Sequence, residues 1–118
     1  MGQPVVHFEI AGVNEKALQA FYTDLFGWKI NAENPMNYGL VDTDSGGAGI
    51  GGGVFKAPKD VPFLTFYVQV DDLQAYLDKA VSLGGEAVVS PTPIPGMGAF
   101  AFIKDTEGNI VGLWKVGE

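Results

Sequence analysis

Apolar and polar positions follow a pattern that occurs twice along the chain. In each half, an extended apolar run precedes an amphipathic stretch in which apolar side chains recur every three or four positions. The first amphipathic stretch begins at Asn14 and ends at Gly27, and the second begins at Asp72 and ends at Gly85. The separation between the equivalent positions is nearly half of the 118 residues. This pattern predicts two copies of one supersecondary unit, with a ligand-binding groove expected between them.

Each copy is predicted to contain one helix and four strands in the order β-α-β-β-β. Asn14 and Asp72 are favoured N-cap residues, so helices are predicted over 14–26 and 72–83. Strands are predicted at Val5–Ile10, Trp28–Ile30, Asn37–Val41, Val54–Phe55, Phe63–Val70, Glu86–Ser90, Ala99–Ile103 and Ile110–Val116, with a proline-rich loop over 91–98.

One helix per half favours an α+β fold with mixed sheets over a parallel doubly wound sheet. The expected architecture is two βαβββ modules that form curved mixed sheets around a cleft, with the helices outside. The whole chain, 1–118, is predicted to be a single domain made of two repeats at about 1–57 and 61–118. The aromatic residues expected in the core are Phe21, Phe26, Phe66, Tyr76 and Phe102.

Composition narrows the function classes. The chain has 7 basic residues, all lysine, against 14 acidic ones, for a net charge of −7. Such a chain repels phosphate backbones and lacks the guanidinium group, so nucleic acid is not expected as a partner. The chain has no cysteine, which excludes a thiolate nucleophile or metal ligand. No apolar run approaches membrane-spanning length, so no membrane partner is expected and the location is predicted to be cytoplasmic.

Four short motifs occur in the order found in one known superfamily. They are Phe21-Tyr22, Phe26-Gly27-Trp28, Val70-Asp71-Asp72-Leu73 and Asp105-Thr106-Glu107-Gly108-Asn109. With the repeated βαβββ pattern, the chain resembles the vicinal oxygen chelate superfamily, which contains glyoxalase I, extradiol dioxygenases and bleomycin- and fosfomycin-resistance proteins. The resemblance covers essentially the whole chain, and this chain is most similar to the small glyoxalase-like members. Such a fold hosts many chemistries, so the resemblance implies the fold more strongly than the activity.

The resemblance also implies where a divalent metal would bind, in the first and last strands of each half. His7 stands in the first ligand position, but Thr65 stands in its counterpart and Gly112 stands where a ligating Glu is expected. The matching strand of the first half offers no carboxylate between Gly46 and Phe55. Since a metal site needs three or more protein ligands, we expect no family-type metal and no other cofactor. The same departure weighs against glyoxalase and dioxygenase activity, because both use the metal as a Lewis acid.

The candidate ligand-binding residues are identified by strand alternation. His7 and Glu9 share one strand face, and the repeat places Thr65 and Tyr67 on the equivalent face of the second half. Trp114 shares a face with Gly112 on the last strand. The set predicted to line one small-molecule cavity is therefore His7, Glu9, Thr65, Tyr67 and Trp114. The alternatives are a His7 satisfied by a backbone carbonyl or water, and aromatic side chains that only fill the core; Tyr38, Met97 and Phe100 are left undecided.

A glycine-rich motif, Gly47 to Gly52, matches the G-x-G-x-x-G fingerprint of dinucleotide-binding proteins. A dinucleotide site requires a helix that starts at those glycines, and the residues that follow are Val54, Phe55 and then a proline. The match is therefore interpreted as accidental. Three function classes stay open: a small-molecule-binding protein without a metal, a metal-dependent lyase or dioxygenase, and a structural or regulatory module. A homodimer is compatible with each of them.

Overall fold

The computed structural model describes residues 2–35, 37–43 and 46–117. The elements follow the order β-α-β-β-β twice, which confirms the predicted α+β fold class with mixed sheets. They are β1 (Val5–Gly12), α1 (Glu15–Phe26), β2 (Lys29–Asn31), β3 (Gly39–Asp42), β4 (Gly51–Lys56), β5 (Phe63–Gln69), α2 (Leu73–Ser82), β6 (Glu86–Ile94), β7 (Gly98–Lys104) and β8 (Ile110–Val116). The chain divides into two compact units, residues 7–65 and residues 1–6 together with 66–118.

In the unit of residues 7–65, the strand order is β2-β3-β4-β1. β1 runs parallel to β4, with Glu9 opposite Gly53, whereas β3 is antiparallel to both of its neighbours. Helix α1 begins where the Asn14 side chain accepts a hydrogen bond from the Ala17 N–H, at 3.2 Å. It ends at Gly27, whose φ of 72° lies in the left-handed region that glycine adopts without strain. Both helix boundaries follow the sequence prediction.

The other unit repeats this arrangement with the strand order β5-β8-β7-β6. β5 runs parallel to β8, with Tyr67 opposite Gly112. Asp72 caps α2 by accepting a hydrogen bond from the Ala75 N–H, at 3.1 Å. The apolar face of α2 covers the sheet and closes a core of buried side chains: Val70, Leu73, Leu77, Ala101 and Leu113.

Helix α1 covers its sheet much less completely than predicted. Phe21 and Phe26, which were expected in the core, are 56% and 58% exposed, and no α1 residue is fully buried. The helix lies against β4 and Leu18 fills the space above Gly12, whereas Phe21 and Phe26 pack against Tyr22 of the same helix. Phe66 on β5 is also exposed, whereas Tyr76 and Phe102 are partly buried. The prediction of a core position was therefore wrong for Phe21, Phe26 and Phe66.

Strand β6 extends through the segment that was predicted to be a loop. It continues to Ile94 and contains Pro91 and Pro93. Proline lacks the N–H that a central strand needs, but β6 lies at the end of the strand order and pairs only with β7. Its register also shifts between Ala87 and Val89 and again before Thr92, which accommodates the irregular backbone. An edge position therefore explains why the prolines did not end the strand.

The two helices are short and amphipathic. Among the residues that the structure describes, neither helix combines the length and apolar character needed to cross a membrane.

Candidate functional site

Three polar side chains form one hydrogen-bonded chain on the sheet of residues 7–65. The Tyr38 hydroxyl donates to the Glu9 carboxylate, with Oη 2.8 Å from Oε2. The same hydroxyl lies 2.9 Å from His7 Nε2. Glu9 is 8% exposed, and His7 and Tyr38 are partly buried. A buried carboxylate is tolerated when it is hydrogen-bonded, and Tyr38 supplies such a bond.

The strand alternation of β1 places this network on the face opposite α1. A Cβ added to Gly12 would meet the side chain of Leu18 of α1, so Gly12 faces the helix. His7 and Glu9 are an odd number of positions from Gly12 along the continuously paired strand β1, so their side chains point to the other face. The register therefore places His7 and Glu9 on one face of the sheet, as the sequence predicted.

Hydrogen bonding and burial act together on the protonation of His7. A tyrosine hydroxyl has one proton, and Tyr38 donates that proton to Glu9. The same hydroxyl forms a second hydrogen bond with His7 Nε2, in which the donor depends on the tautomer of His7. Burial lowers the pKa of His7 from its usual value, because desolvation disfavours the imidazolium. Burial therefore favours the neutral imidazole at this position.

Tyr38 is held in place from several directions. The Asn34 side chain donates to the Tyr38 carbonyl at 2.7 Å and accepts from the Tyr38 N–H at 2.9 Å. The Tyr38 ring packs against Phe55, with centroids 5.3 Å apart, and is nearly parallel to the His7 ring. It lies directly over Gly53, where an added Cβ would overlap the phenol. The missing side chain at Gly53 is therefore what allows the hydroxyl to reach between His7 and Glu9.

A second tyrosine lies over a glycine in the other unit. Tyr67 pairs with Gly112, and a Cβ added to Gly112 would overlap the Tyr67 ring. Tyr67 also packs against Phe102, with centroids 5.4 Å apart. Because Leu113 points into the core beneath α2, its neighbours Gly112 and Trp114 face the other side of that sheet. Tyr67 and Trp114 thus lie on one face of their sheet, as strand alternation predicted.

The five predicted site residues are distributed over both units. His7 and Glu9 are joined through Tyr38, and Thr65 is buried in β5. Tyr67 and Trp114 belong to the other unit. Their shared role in ligand binding stays a prediction. Tyr38 was left undecided from the sequence, because the residues that it joins, His7 and Glu9, are 31 and 29 positions away in the chain. The glycine at position 53 was a sequence feature that indicated space for an aromatic ring at this point of the sheet.

The donor atoms here do not fit a family-type metal site. Among residues 2–35, 37–43 and 46–117, no group of three or more His, Cys, Asp or Glu side chains is close enough to hold a metal ion. The last strand of each half presents Gly53 or Gly112, and a tyrosine ring occupies the space that a longer side chain would need.

The chain belongs to the Glyoxalase/Bleomycin resistance protein/Dioxygenase superfamily, whose family model matches residues 5–113. It is 33% identical over 126 residues to CFP32 of Mycobacterium tuberculosis, which carries a glyoxylase name, and the match covers 91% of this chain and 43% of that protein. The chain thus spans less than half the length of this curated relative.

Solved structures agree with the fold. Methylmalonyl-CoA epimerase from Mycobacterium tuberculosis superposes with a TM-score of 0.66 at 18% identity, covering 97% of this chain and 88% of that chain. The Mn(II)-bound glyoxalase from Novosphingobium aromaticivorans also gives 0.66, at 15% identity, covering 96% of this chain and 38% of that one. At these identities the similarity establishes the fold alone.

Proposed function

We propose that this protein binds a small organic molecule without a family-type metal, at the face that carries His7, Tyr38 and Glu9. The observation that carries the proposal is the partly buried set of hydrogen bonds that joins His7, Tyr38 and Glu9. Placing a carboxylate, a phenol and an imidazole on one partly buried face costs desolvation free energy that a purely structural sheet face avoids. Such convergent polar groups beside aromatic rings are typical of small-molecule sites.

The proposed ligand is a small aromatic or carbonyl-bearing molecule. His7 and Tyr38 offer nitrogen and oxygen atoms that can accept a hydrogen bond from a hydroxyl or carboxyl group, and the Phe55 ring beside Tyr38 offers an apolar surface. Thr65, Tyr67 and Trp114 are proposed as further ligand-binding residues. The aromatic side chains of Tyr67 and Trp114 would supply flat apolar contacts, each typically contributing about 1 to 3 kcal/mol on burial.

A screen for thermal stabilisation tests this proposal. We would measure the melting temperature with benzoate, benzaldehyde, phenylpyruvate and acetophenone, since a ligand that binds only the folded protein raises it. At least one compound is expected to stabilise the wild type and to lose its effect with His7→Gln. Gln74→Ala, on the exposed face of α2, is the matched control and should respond like the wild type. Stabilisation that persists in His7→Gln would contradict the proposed site.

The second candidate is a metal-dependent lyase or dioxygenase of the same superfamily. Membership of a superfamily whose name includes glyoxalases and dioxygenases favours it. The donor set at His7 and Glu9 opposes it, because Tyr38 already engages the Glu9 carboxylate. Metal analysis of protein purified without chelators separates the two candidates, since the second requires about one bound metal per site.

We also propose that the protein is a cytoplasmic homodimer. The absence of cysteine agrees with a reducing compartment. Phe21, Leu25 and Phe26 expose an apolar face on α1, of the kind that oligomer interfaces bury. Light scattering coupled to gel filtration should give twice the mass of one chain, 12.5 kDa, and Phe21→Glu should reduce it toward the single-chain value. A wild-type monomer would contradict the proposal.

A further inference from the structure

Nearly every glycine within a strand of this protein is covered by another group of the chain. A glycine weakens a strand, because it brings no side chain to the packing, so each one calls for a physical reason. Among the described residues, the strands contain seven glycines: Gly12, Gly39, Gly51, Gly52, Gly53, Gly98 and Gly112. At six of them an added Cβ would come closer than 3.0 Å to another atom, and that close approach accounts for the glycine.

Aromatic rings cover three of these glycines. Phe8 lies over Gly52, Tyr38 lies over Gly53, and Tyr67 lies over Gly112. In each pair the missing side chain lets the ring approach the strand backbone more closely than any other residue would allow. A strand glycine is therefore repeatedly the position against which a ring packs in this protein.

Gly51, the first residue of β4, is the exception. Among the described residues, an added Cβ would approach only the Val41 carbonyl oxygen, at 3.4 Å, which is an ordinary contact. The φ angle of Gly51 is not in the left-handed region, so its backbone does not require glycine. Its pairing with β1 runs from Gly51 to Lys56 without a shift, so no bulge requires it either. The close approach of a group from outside the chain is another reason for a strand glycine.

Gly51 lies on the face of the proposed site. It is two residues before Gly53, which Tyr38 covers, so the two glycines share a face. In the parallel register Gly51 is opposite His7, whose imidazole is bonded to the Tyr38 hydroxyl. Two residues along a strand span about 6.6 Å, and neighbouring strands are about 4.8 Å apart. A ring over Gly51 would therefore contact the Tyr38 ring, because paired aromatic rings have centroids about 4.5 to 7 Å apart.

We infer that Gly51 is the specificity-determining residue of the proposed site, because it lets a flat ring of the ligand lie on β4 beside the Tyr38 ring. This inference rests on the proposed function, since it concerns the ligand of that site. The ligand class is a molecule with a planar aromatic ring. A saturated six-membered ring is puckered and thicker, so it would be held away from the backbone. The ring is recognised by packing alone, which needs no further hydrogen bond from His7, Tyr38 or Glu9.

The first test locates the ring by nuclear magnetic resonance. The compound is benzyl alcohol, and its matched partner is cyclohexylmethanol, which carries the same hydroxymethyl group on a saturated ring. Benzyl alcohol should move the Gly51 α-proton signals of the wild type upfield, because an aromatic ring shields protons that lie over its face. Cyclohexylmethanol should give no such shift, and Gly108, in the turn before β8, should not respond to either compound.

Two outcomes of this measurement would overturn the inference, and they differ in what they say about the proposed function. Gly51 signals that stay in place while those of the His7 imidazole move would leave the proposed function standing. If benzyl alcohol moves neither set of signals, the stabilisation screen decides the proposed function separately.

The second test fills the space over Gly51. Gly51→Val adds a β-branched side chain, which strands accept, and it should weaken benzyl alcohol binding by about tenfold or more. Affinity for cyclohexylmethanol should be several-fold weaker than for benzyl alcohol in the wild type and should change little in the variant. Ala87→Val, at an exposed position of β6, is the matched control and should bind like the wild type.

Gly51→Ala is the smaller change and should have an effect between those of Gly51→Val and Ala87→Val. Dispersed amide spectra confirm that each variant is folded. Wild-type affinity for benzyl alcohol in Gly51→Val would refute the inference. Equal losses for the two compounds would also refute it, since they would show a general obstruction rather than recognition of a flat ring.

Discussion

Replacing Gly53 with alanine tests how the structure holds Tyr38. The φ angle of Gly53 is not in the left-handed region, so alanine can adopt the same backbone conformation without strain. The new methyl group would instead overlap the hydroxyl and two ring carbons of Tyr38. The ring has little freedom to move, because Asn34, Phe55, His7 and Glu9 all contact it.

The expected cost follows from the two ways in which the site can respond. If the ring stays, the overlap must be relieved by strain, which typically costs about 1 to 3 kcal/mol. If the ring leaves, the buried Glu9 carboxylate loses a hydrogen bond, which also costs about 1 to 3 kcal/mol. Gly53→Ala should therefore lower the free energy of unfolding by about 1 to 3 kcal/mol whichever response occurs.

Gly51→Ala is the matched control, because it makes the same change two residues earlier on β4. Its added Cβ would approach nothing closer than the Val41 carbonyl oxygen, at 3.4 Å. We expect a change within about 0.5 kcal/mol, as for most exposed substitutions. Urea denaturation followed by tryptophan fluorescence measures both variants, provided that the slopes agree.

A double substitution separates the clash with Tyr38 from any other effect of a methyl group at position 53. In a Tyr38→Ala background the space above Gly53 is open, so adding Gly53→Ala should cost little. The coupling energy between the two substitutions should then be about 1 kcal/mol or more. Equal costs of Gly53→Ala with and without the Tyr38 ring, or a Gly53→Ala as stable as Gly51→Ala, would refute this description of the site.

Three further predictions follow from the same structure. Calorimetric titration with Zn²⁺, Ni²⁺, Mn²⁺ or Fe²⁺ should detect no site of micromolar or tighter affinity at one ion per chain; such a site would show that the donor set has been misjudged. Trp114→Ala should weaken binding of any stabilising aromatic compound by about 1 to 3 kcal/mol and remove its effect on fluorescence, whereas unchanged affinity would exclude Trp114 from the site. Burial lowers the pKa of His7 below its unfolded value of about 6.5, so its share of the stability is complete above that pH and is lost as the pH falls toward the folded pKa. Urea midpoints of the wild type should therefore fall across this interval more steeply than those of His7→Gln, and parallel curves would contradict the assignment.

Local structure could be predicted from the sequence at the positions where one or two residues determine it. Asn14 and Asp72 cap the helices, and Gly27 ends α1, because each of these roles depends on a single side chain or its absence. The α+β class followed from the order of the elements. The boundary errors were larger where neighbouring strands decide the outcome, as in β6, whose edge position makes Pro91 and Pro93 acceptable.

Features that depend on tertiary packing could not be predicted from single residues in this way. The four-residue spacing of Phe21 and Leu25 predicted a buried stripe, but both side chains are more than half exposed on α1. Alternation placed His7 and Glu9 on one face, whereas the group between them, Tyr38, comes from a distant segment. A hydrogen bond between residues 31 positions apart follows from strand register, which a single sequence does not specify.

The most direct test of the central claim is a crystal structure of the protein soaked with small aromatic acids and carbonyl compounds. We propose that the face carrying His7, Tyr38 and Glu9 binds such molecules without a metal. We predict density for a soaked compound within hydrogen-bond distance of His7 or Tyr38, at a position that Tyr38→Phe perturbs. Compounds seated only at other surfaces, or a metal ion coordinated by His7 and Glu9 with Tyr38 displaced, would contradict it.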